Sequence, residues 1–277
     1  MERLSKYEFE NFRDLIYRES GINLTEQKKI LLEGRLQKRL QTLSLTNFQE
    51  YFKLVSSKQG ETERVLMLDA VSTNKTDFYR EPHHFEFLSK TIVPEFIRTN
   101  PGKTLRIWCA ASSTGEEPYT ISITLEELKE RFDFNYSLDA SDISTKVLQH
   151  AVNGIYDLER VRPVPDRLLK KYFLKSKDAS KNLVRVNIDI RKKINYHRIN
   201  LMEMPYPFSK QKVDVIFCRN VLIYFDKATQ NKVVSNLCDC LNNNGYLLIG
   251  HSESLFQMNL PLKQILPATF QKSVNHG

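Results

Sequence analysis

From residue 105 onward the chain alternates short apolar runs with helix-length amphipathic segments, and this alternation constrains the fold more than any other feature. The runs are 105–109, 136–140, 194–199, 213–218 and 246–249. A strand buried on both faces is apolar throughout, so such runs separated by helices specify a mostly parallel sheet covered on both sides. Ile121, Leu125, Leu128 and Phe132 form an apolar helical face after the first run, and Val234, Leu237 and Leu241 do so after the fourth. Asn244 and Gly245 are expected to turn the chain into the last strand. Between about 158 and 200 the pattern changes: a helix-like segment, 166–172, precedes 183–188, where apolar and polar residues alternate, and then 194–199. Alternation marks a strand with one solvated face, so a small antiparallel insertion is expected there.

The first seventy residues read as helices. Phe9, Phe12 and Ile16 recur at helical spacing, then Leu32, Leu36, Leu40 and Leu43, then Phe48, Tyr51, Phe52 and Val55. Thr46 with Gln49 is expected to make a capping box for the third helix. A fourth helix is expected over 61–71, after which the polar stretch 72–77 breaks the pattern. Pro82 then opens a helix with Phe85, Leu88, Ile92 and Phe96 on one face. The expected organisation is an all-α N-terminal domain over 1–71, a linker over 72–81, and a Rossmann-like α/β domain over 82–277 carrying the antiparallel β-subdomain.

Composition excludes several classes. No apolar run approaches the ~20 residues of a membrane span, and the polar start MERLSKYEFE lacks the core of a secretory signal, so a cytoplasmic address without membrane insertion is expected. Cys109 and Cys218 fall in apolar runs, while Cys238 and Cys240 lie two apart on a helix and point opposite ways, so the thiols read as structural. His83 and His84 are helix neighbours that diverge, with no carboxylate spaced to join them. They read as packing and surface residues, and no metal site is expected. The formal charge of +8 suits an acidic partner, whether nucleic acid, an anionic membrane surface or an acidic protein.

The chemistry concentrates where the first run meets its helix. The stretch Ala110-Ala111-Ser112-Ser113-Thr114-Gly115 leads to a helix start at Glu116-Glu117-Pro118-Tyr119. Small residues let the backbone pass close to a ligand, and a helix N-terminus offers free amides and positive dipole. The G-x-G-x-x-G fingerprint is absent, and two carboxylates at the helix start would repel a pyrophosphate. They suit S-adenosyl-L-methionine, whose hydroxyls, ammonium and sulfonium a carboxylate can meet, although acids at this position also serve as plain helix caps. Asp142 ends the second run, where ribose-binding acids stand in dinucleotide folds and where turn-forming Asp is also common.

Four segments in order resemble a known family: 72–81 (STNKTDFYRE), 113–119 (STGEEPY), 140–143 (ASDI) and 217–225 (FCRNVLIYF), followed by Gly250-His251-Ser252-Glu253. The chain resembles the chemotaxis receptor methyltransferases, the CheR proteins, which methylate receptor glutamates with S-adenosylmethionine. The resemblance implies that Asn74, Thr76 and Arg80 close over the cofactor, that Glu117 (or Glu116) holds its methionine or ribose side, and that Asp142 meets the ribose hydroxyls. It implies further that Asn200 and Leu201 flank the adenine, that Arg219 and Asn220 lie near the reacting end, and that Arg80 and Tyr224 bear directly on catalysis. Lys28, Arg35 and Arg39, on one helix face, would dock acidic receptor helices, and the edge of 183–188 could add a receptor peptide as a strand. A monomer that binds no nucleic acid is expected. Nucleic-acid amino-methyltransferases are similar to one another in an (Asp/Asn)-Pro-Pro-aromatic motif, which Met204-Pro205-Tyr206-Pro207-Phe208 does not match. A non-catalytic cofactor-binding module is the remaining alternative, and the presence of Arg80 and Tyr224 argues against it.

Overall fold

The computed structural model describes residues 3–178 and 180–273. Four helices come first: α1 (Lys6–Ser20), α2 (Lys29–Thr42), α3 (Phe48–Ser56) and α4 (Glu61–Val71). Their apolar stripes close on one another in a separate cluster that includes Phe9, Phe12, Leu32, Leu36, Phe48 and Tyr51. Phe12 is its centre, with its ring 5.2 to 6.4 Å from those of Phe48, Tyr51 and Phe52. The cap of α3 falls one residue later than expected. Asn47, not Thr46, is the N-cap, and its side chain accepts from the Glu50 amide at 2.8 Å. Asn is the stronger cap, and its carboxamide reaches the third amide of the helix directly.

The basic face of α2 is mostly not free. Arg39 makes a two-pronged ion pair with Glu63 at 2.9 and 2.8 Å, and Tyr51 donates to the same carboxylate at 2.9 Å. Arg35 donates to the carbonyls of Val71 and Ser72 and to Thr73 Oγ1, tying α2 to the segment after α4. Of the three expected docking residues, two are therefore occupied within the chain, and Lys28 alone stands exposed. Periodicity places side chains on one face but cannot tell which of them meet a buried acid.

Ten strands follow: β1 (Thr104–Ala110), β2 (Asn135–Asp142), β3 (Ile155–Asp157), β4 (Phe173–Lys175), β5 (Leu183–Val186), β6 (Ile194–Arg198), β7 (Val213–Cys218), β8 (Leu241–Ile249), β9 (Leu262–Leu266) and β10 (Thr269–Lys272). Seven of them form one sheet in the order β6-β2-β1-β7-β8-β10-β9, parallel from β6 to β8, with antiparallel β10 and β9 at the edge. The helices that cover it are α5 (His83–Phe87), which passes through a π turn (Leu88–Ile92) into α6 (Val93–Thr99), then α7 (Glu116–Lys129), α8 (Thr145–Asn153), α9 (Asp166–Tyr172), α10 (Ile188–Arg191) and α11 (Lys227–Cys240).

Burial on both faces is visible residue by residue. Along β1, Leu105, Ile107 and Cys109 belong to one apolar cluster while Trp108 and Ala110 belong to the other. The indole of Trp108 is fully buried and its N–H finds Ser141 Oγ at 2.9 Å, so the large ring leaves no unsatisfied donor. The chain crosses from β1 to β2 on one side, and β7 later adds on the other. The strand order thus reverses beside β1, and the loops leaving β1 and β7 diverge to open a crevice at their carboxyl ends.

Three expectations change here. The run 194–199 does not join the antiparallel insertion; β6 pairs parallel with β2, from Leu138 opposite Ile194 to Asp142 opposite Arg198. The separate antiparallel sheet is β3-β5-β4, so β5, expected to offer a free edge, is paired on both sides. Alternation reports a solvated face and carries no information about which neighbour fills the hydrogen-bonding edges. Asn244 and Gly245 lie within β8, where Asn244 takes a positive φ and the register against β7 shifts, so they bend a strand rather than begin one.

The Arg39–Glu63 pair yields a prediction that separates structure from docking. Arg39→Ala leaves Glu63, only 8% exposed, without its counterion and should cost about 2–3 kcal/mol, less than a fully buried pair because Arg39 keeps some solvent. Chemical denaturation checks it, with Lys28→Ala expected to leave the unfolding midpoint unchanged.

Candidate active site

The turn after β1 is built for close approach. Ala111 and Ser113 adopt positive φ (72° and 48°), and Gly115 does so at 100°. A Cβ on Gly115 would stand 2.8 Å from the Ala151 Cβ and 2.9 Å from the Tyr156 hydroxyl, so glycine is required both by its backbone and by the packing of α8 and β3. The Ser112 amide donates to the Ser141 carbonyl at 2.8 Å and the Ser113 amide to Asp142 Oδ2 at 2.9 Å, which locks the turn to the end of β2. Asp142 Oδ1 also accepts from the Ser144 amide at 3.0 Å. Burial pushes the Asp142 carboxyl above its ordinary pKa, and these amides pull only part of the way back.

The two carboxylates of the helix start have different surroundings. Glu116 is buried away from the crevice, accepting from Arg160 at 2.7 Å and Thr114 Oγ1 at 2.6 Å. Arg160 also holds Asp77 at 3.1 Å and the Thr76 carbonyl at 2.7 Å, fastening the segment before α5 over the turn. Glu117 lies in the crevice wall, accepting from the Cys109 thiol at 3.2 Å and from Arg219. Arg219 reaches Glu81 at 3.1 Å and the Arg80 carbonyl, with its guanidinium 5.5 Å from the centre of the Phe85 ring. Burial would raise the Glu81 carboxyl, but the charge and hydrogen bonds of Arg219 outweigh it and hold its pKa below the usual value. Behind Asn220, whose φ is 57°, Glu253 gathers three backbone amides: Gly250 at 2.6 Å, Asn220 at 3.0 Å and Ile223 at 3.3 Å.

These elements enclose a cleft of about 420 Å³. Asn74, Thr76 and Arg80 from the linker line it, together with Glu117, Asp142, Asn200, Leu201, Arg219, Asn220 and Tyr224. The carboxamide of Asn200 is partly engaged, donating to the Glu19 carbonyl at 2.7 Å and Glu203 Oε1 at 3.0 Å. Arg80 donates to the Lys75 carbonyl at 3.1 Å, and the Tyr224 carbonyl accepts from the Asn23 amide at 2.8 Å. Sequence reasoning missed the residues that fasten this geometry, Arg160, Glu81 and Glu253, although the last two stand inside segments it singled out. It also missed that Ile22, Leu24, Leu31 and Arg35, from α1–α2 and their connection, complete the cleft.

His83 and His84 need a correction. Glu81 and His251 join them: His84 Nδ1 lies 3.7 Å from Glu81 Oε2, and the Nε2 atoms of His83 and His251 are 2.7 Å apart. The carboxylate stands before the helix start rather than at a helical spacing, and His251 arrives from 168 residues away on the loop after β8.

A cradle of strained small residues, a carboxylate at the end of β2 and a second in the wall, with no glycine-rich phosphate loop, fit an adenosyl cofactor bearing hydroxyls and cationic centres. They do not fit a pyrophosphate. Fold and cleft together define the class of S-adenosylmethionine-dependent methyltransferases.

The comparisons narrow this class. The family model "CheR methyltransferase, SAM binding domain" matches residues 74–269, and "CheR methyltransferase, all-alpha domain" matches 7–72. The chain is 39% identical over 275 residues to a chemotaxis protein methyltransferase of Borreliella burgdorferi, covering 98% of this chain and 95% of the relative. It is 40% identical to chemotaxis protein methyltransferase 2 of Pseudomonas aeruginosa (90% and 87% covered) and 37% identical to the Salmonella typhimurium chemotaxis protein methyltransferase (91% and 85%). The protein belongs to the CheR methyltransferase family, and its cofactor is S-adenosylmethionine.

Two predictions follow from the turn and its acid. Gly115→Ala should lower stability by about 1–3 kcal/mol, because it adds strain at positive φ to an overpacked contact, and should weaken binding of the product S-adenosylhomocysteine in calorimetry. Protonation of Asp142 removes its negative charge and weakens its hold on the Ser113 and Ser144 amides. Because its pKa is raised, product affinity should begin to fall with decreasing pH above the usual aspartate range, while Asp142→Asn should bind weakly and lose that limb.

Proposed function

We propose that the protein transfers a methyl group from S-adenosylmethionine to glutamate side chains on chemoreceptor helices, forming methyl esters. The observation that carries this reading is the composition of the cleft: it is lined by the carboxylates of Glu117 and Asp142 and by Arg80, Arg219 and Tyr224, and no histidine stands among its described lining residues as a general base. A glutamate has a reference pKa of about 4.3 and is an ionised nucleophile at neutral pH, so none is needed.

The bound cofactor supplies an electrophilic methyl on a sulfonium. A carboxylate oxygen of the substrate gains a bond to the methyl carbon as the sulfur–carbon bond breaks, and no proton moves. Opposite charges cancel along the path, so a site that excludes water favours the transition state over the solvated ions. The chain's part is to hold and align. Asp142 takes the ribose hydroxyls, and Glu117, fixed by Arg219, takes the amino-acid side. Asn74 and Thr76 close over the cofactor from the linker, and Asn200 and Leu201 flank its base. Arg219 and Asn220 shape the reacting end, and Arg80 and Tyr224 orient the incoming carboxylate there. Arg80 serves as a positioning group rather than a firm clamp, since a tight ion pair would stabilise the starting carboxylate. Lys28, which is exposed and lines the cleft, is the one of the three expected docking residues left to meet an acidic receptor helix.

Incubation with methyl-labelled cofactor and receptor-bearing membranes tests the reaction. The expected product is base-labile label on receptor glutamates, and its absence with a cognate receptor defeats the proposal. Arg80→Ala should lower kcat about 100-fold while product binding changes far less, Arg80→Lys recovering part of the rate. Lys28→Glu should raise KM for receptor without altering kcat, and added salt should shrink that difference.

A further inference from the structure

Beside the cleft, Glu81, His83, His84 and His251 each offer one donor atom, and these four atoms all lie within 4.8 Å of one another. We propose that they form a binding site for a divalent transition-metal ion of the zinc type, a site that does not depend on the methyl-transfer reading.

The geometry suits four-coordination. Zinc–nitrogen bonds of about 2.0–2.1 Å set ligand atoms about 3.3 Å apart in a tetrahedron. The 2.7 Å separation of the His83 and His251 nitrogens and the 3.7 Å separation of His84 Nδ1 from Glu81 bracket that edge. The rings of His83 and His251 stack with centroids 4.2 Å apart, and that of His83 lies 4.1 Å from that of His84. Three imidazoles gathered this closely with a carboxylate are a borderline-soft donor set of the kind that selects zinc and its neighbours over magnesium or calcium.

A second observation points to a ligand. His84 is completely buried, and neither of its ring nitrogens has a hydrogen-bond partner among the described residues. Packing alone does not account for it, because a buried imidazole left without partners on both nitrogens carries the full desolvation cost of a donor and an acceptor. An ion held by His84 and its three neighbours would take up the lone pair of one of those ring nitrogens.

The site also touches the cleft. Glu81 is shared: it pairs with Arg219 at 3.1 Å and accepts from Asn220 Nδ2 at 3.3 Å and from the His251 amide at 3.3 Å. His251 is exposed, which gives an ion a path from solvent.

The full-length chain, stripped of metal with a chelator, is titrated at neutral pH with Zn²⁺ against a chromophoric chelator, and separately with Co²⁺ followed by visible absorption. One ion per chain is expected, with Co²⁺ giving the intense bands of four-coordination. The double variant His83→Gln/His251→Gln should bind Zn²⁺ about 100-fold more weakly or worse, while His150→Gln and His197→Gln bind as wild type. Wild type that takes up no Zn²⁺, or a double variant that binds it equally, overturns the proposal. Should the double variant fail to fold by circular dichroism, the wild-type Co²⁺ spectrum decides: the pale bands of six-coordinate Co²⁺ refute the site.

Discussion

A single buried guanidinium organises the cleft. Arg219 has almost no solvent contact, and a positive charge in that position persists only because Glu117 and Glu81 neutralise it and the Arg80 carbonyl accepts from it. The partners come from two places, the helix after β1 and the adjacent residues Arg80 and Glu81 before α5, so one side chain at the end of β7 draws together segments far apart in sequence. Glu117 and the Arg80 backbone are thereby fixed where they line the cleft. Removing Arg219 would leave two half-buried carboxylates facing each other without a counterion.

The sheet makes this arrangement possible. Because β1 and β7 are neighbours while the chain between them crosses elsewhere, their carboxyl ends present Glu117 and Arg219 to the same crevice. Apolar clusters on both faces hold these strands rigidly. A methyl transfer from a sulfonium asks chiefly for a rigid frame that aligns donor and acceptor. The N-terminal helices complete the cleft: the Asn23 amide donates to the Tyr224 carbonyl, the Glu19 carbonyl accepts from Asn200, and Arg35 grips the linker.

Much of this was legible in the residues. The central strands were readable because burial on both faces makes them apolar throughout, and β7 ran over the expected residues, Val213–Cys218. The strand–turn–helix at 105–119 was readable because small residues and paired acids have few other uses at that position. Edges and partners were less legible. Nothing in 183–188 distinguishes a middle strand from an edge strand, and nothing around Arg39 announces that Glu63, 24 residues on, will claim it. The histidines at 83 and 84 looked unpartnered because a ligand set drawn from a turn and a distant loop has no local spacing.

The sequence by itself determined the class of fold, the strand–turn–helix at 105–119 and the family, because these rest on local pattern: hydrophobic period, small residues at a turn, and motifs in order. Tertiary structure alone decided which of two adjacent glutamates faces the cleft. Glu116 and Glu117 are equivalent as helix-start acids, and their roles separate only because Arg160 lies on one side of α7 and Arg219 on the other. Likewise only the fold brings Glu81, His83, His84 and His251 within reach of one another. Charge pairing over long sequence separation depends on where strands are placed side by side, and no single segment of the chain encodes that.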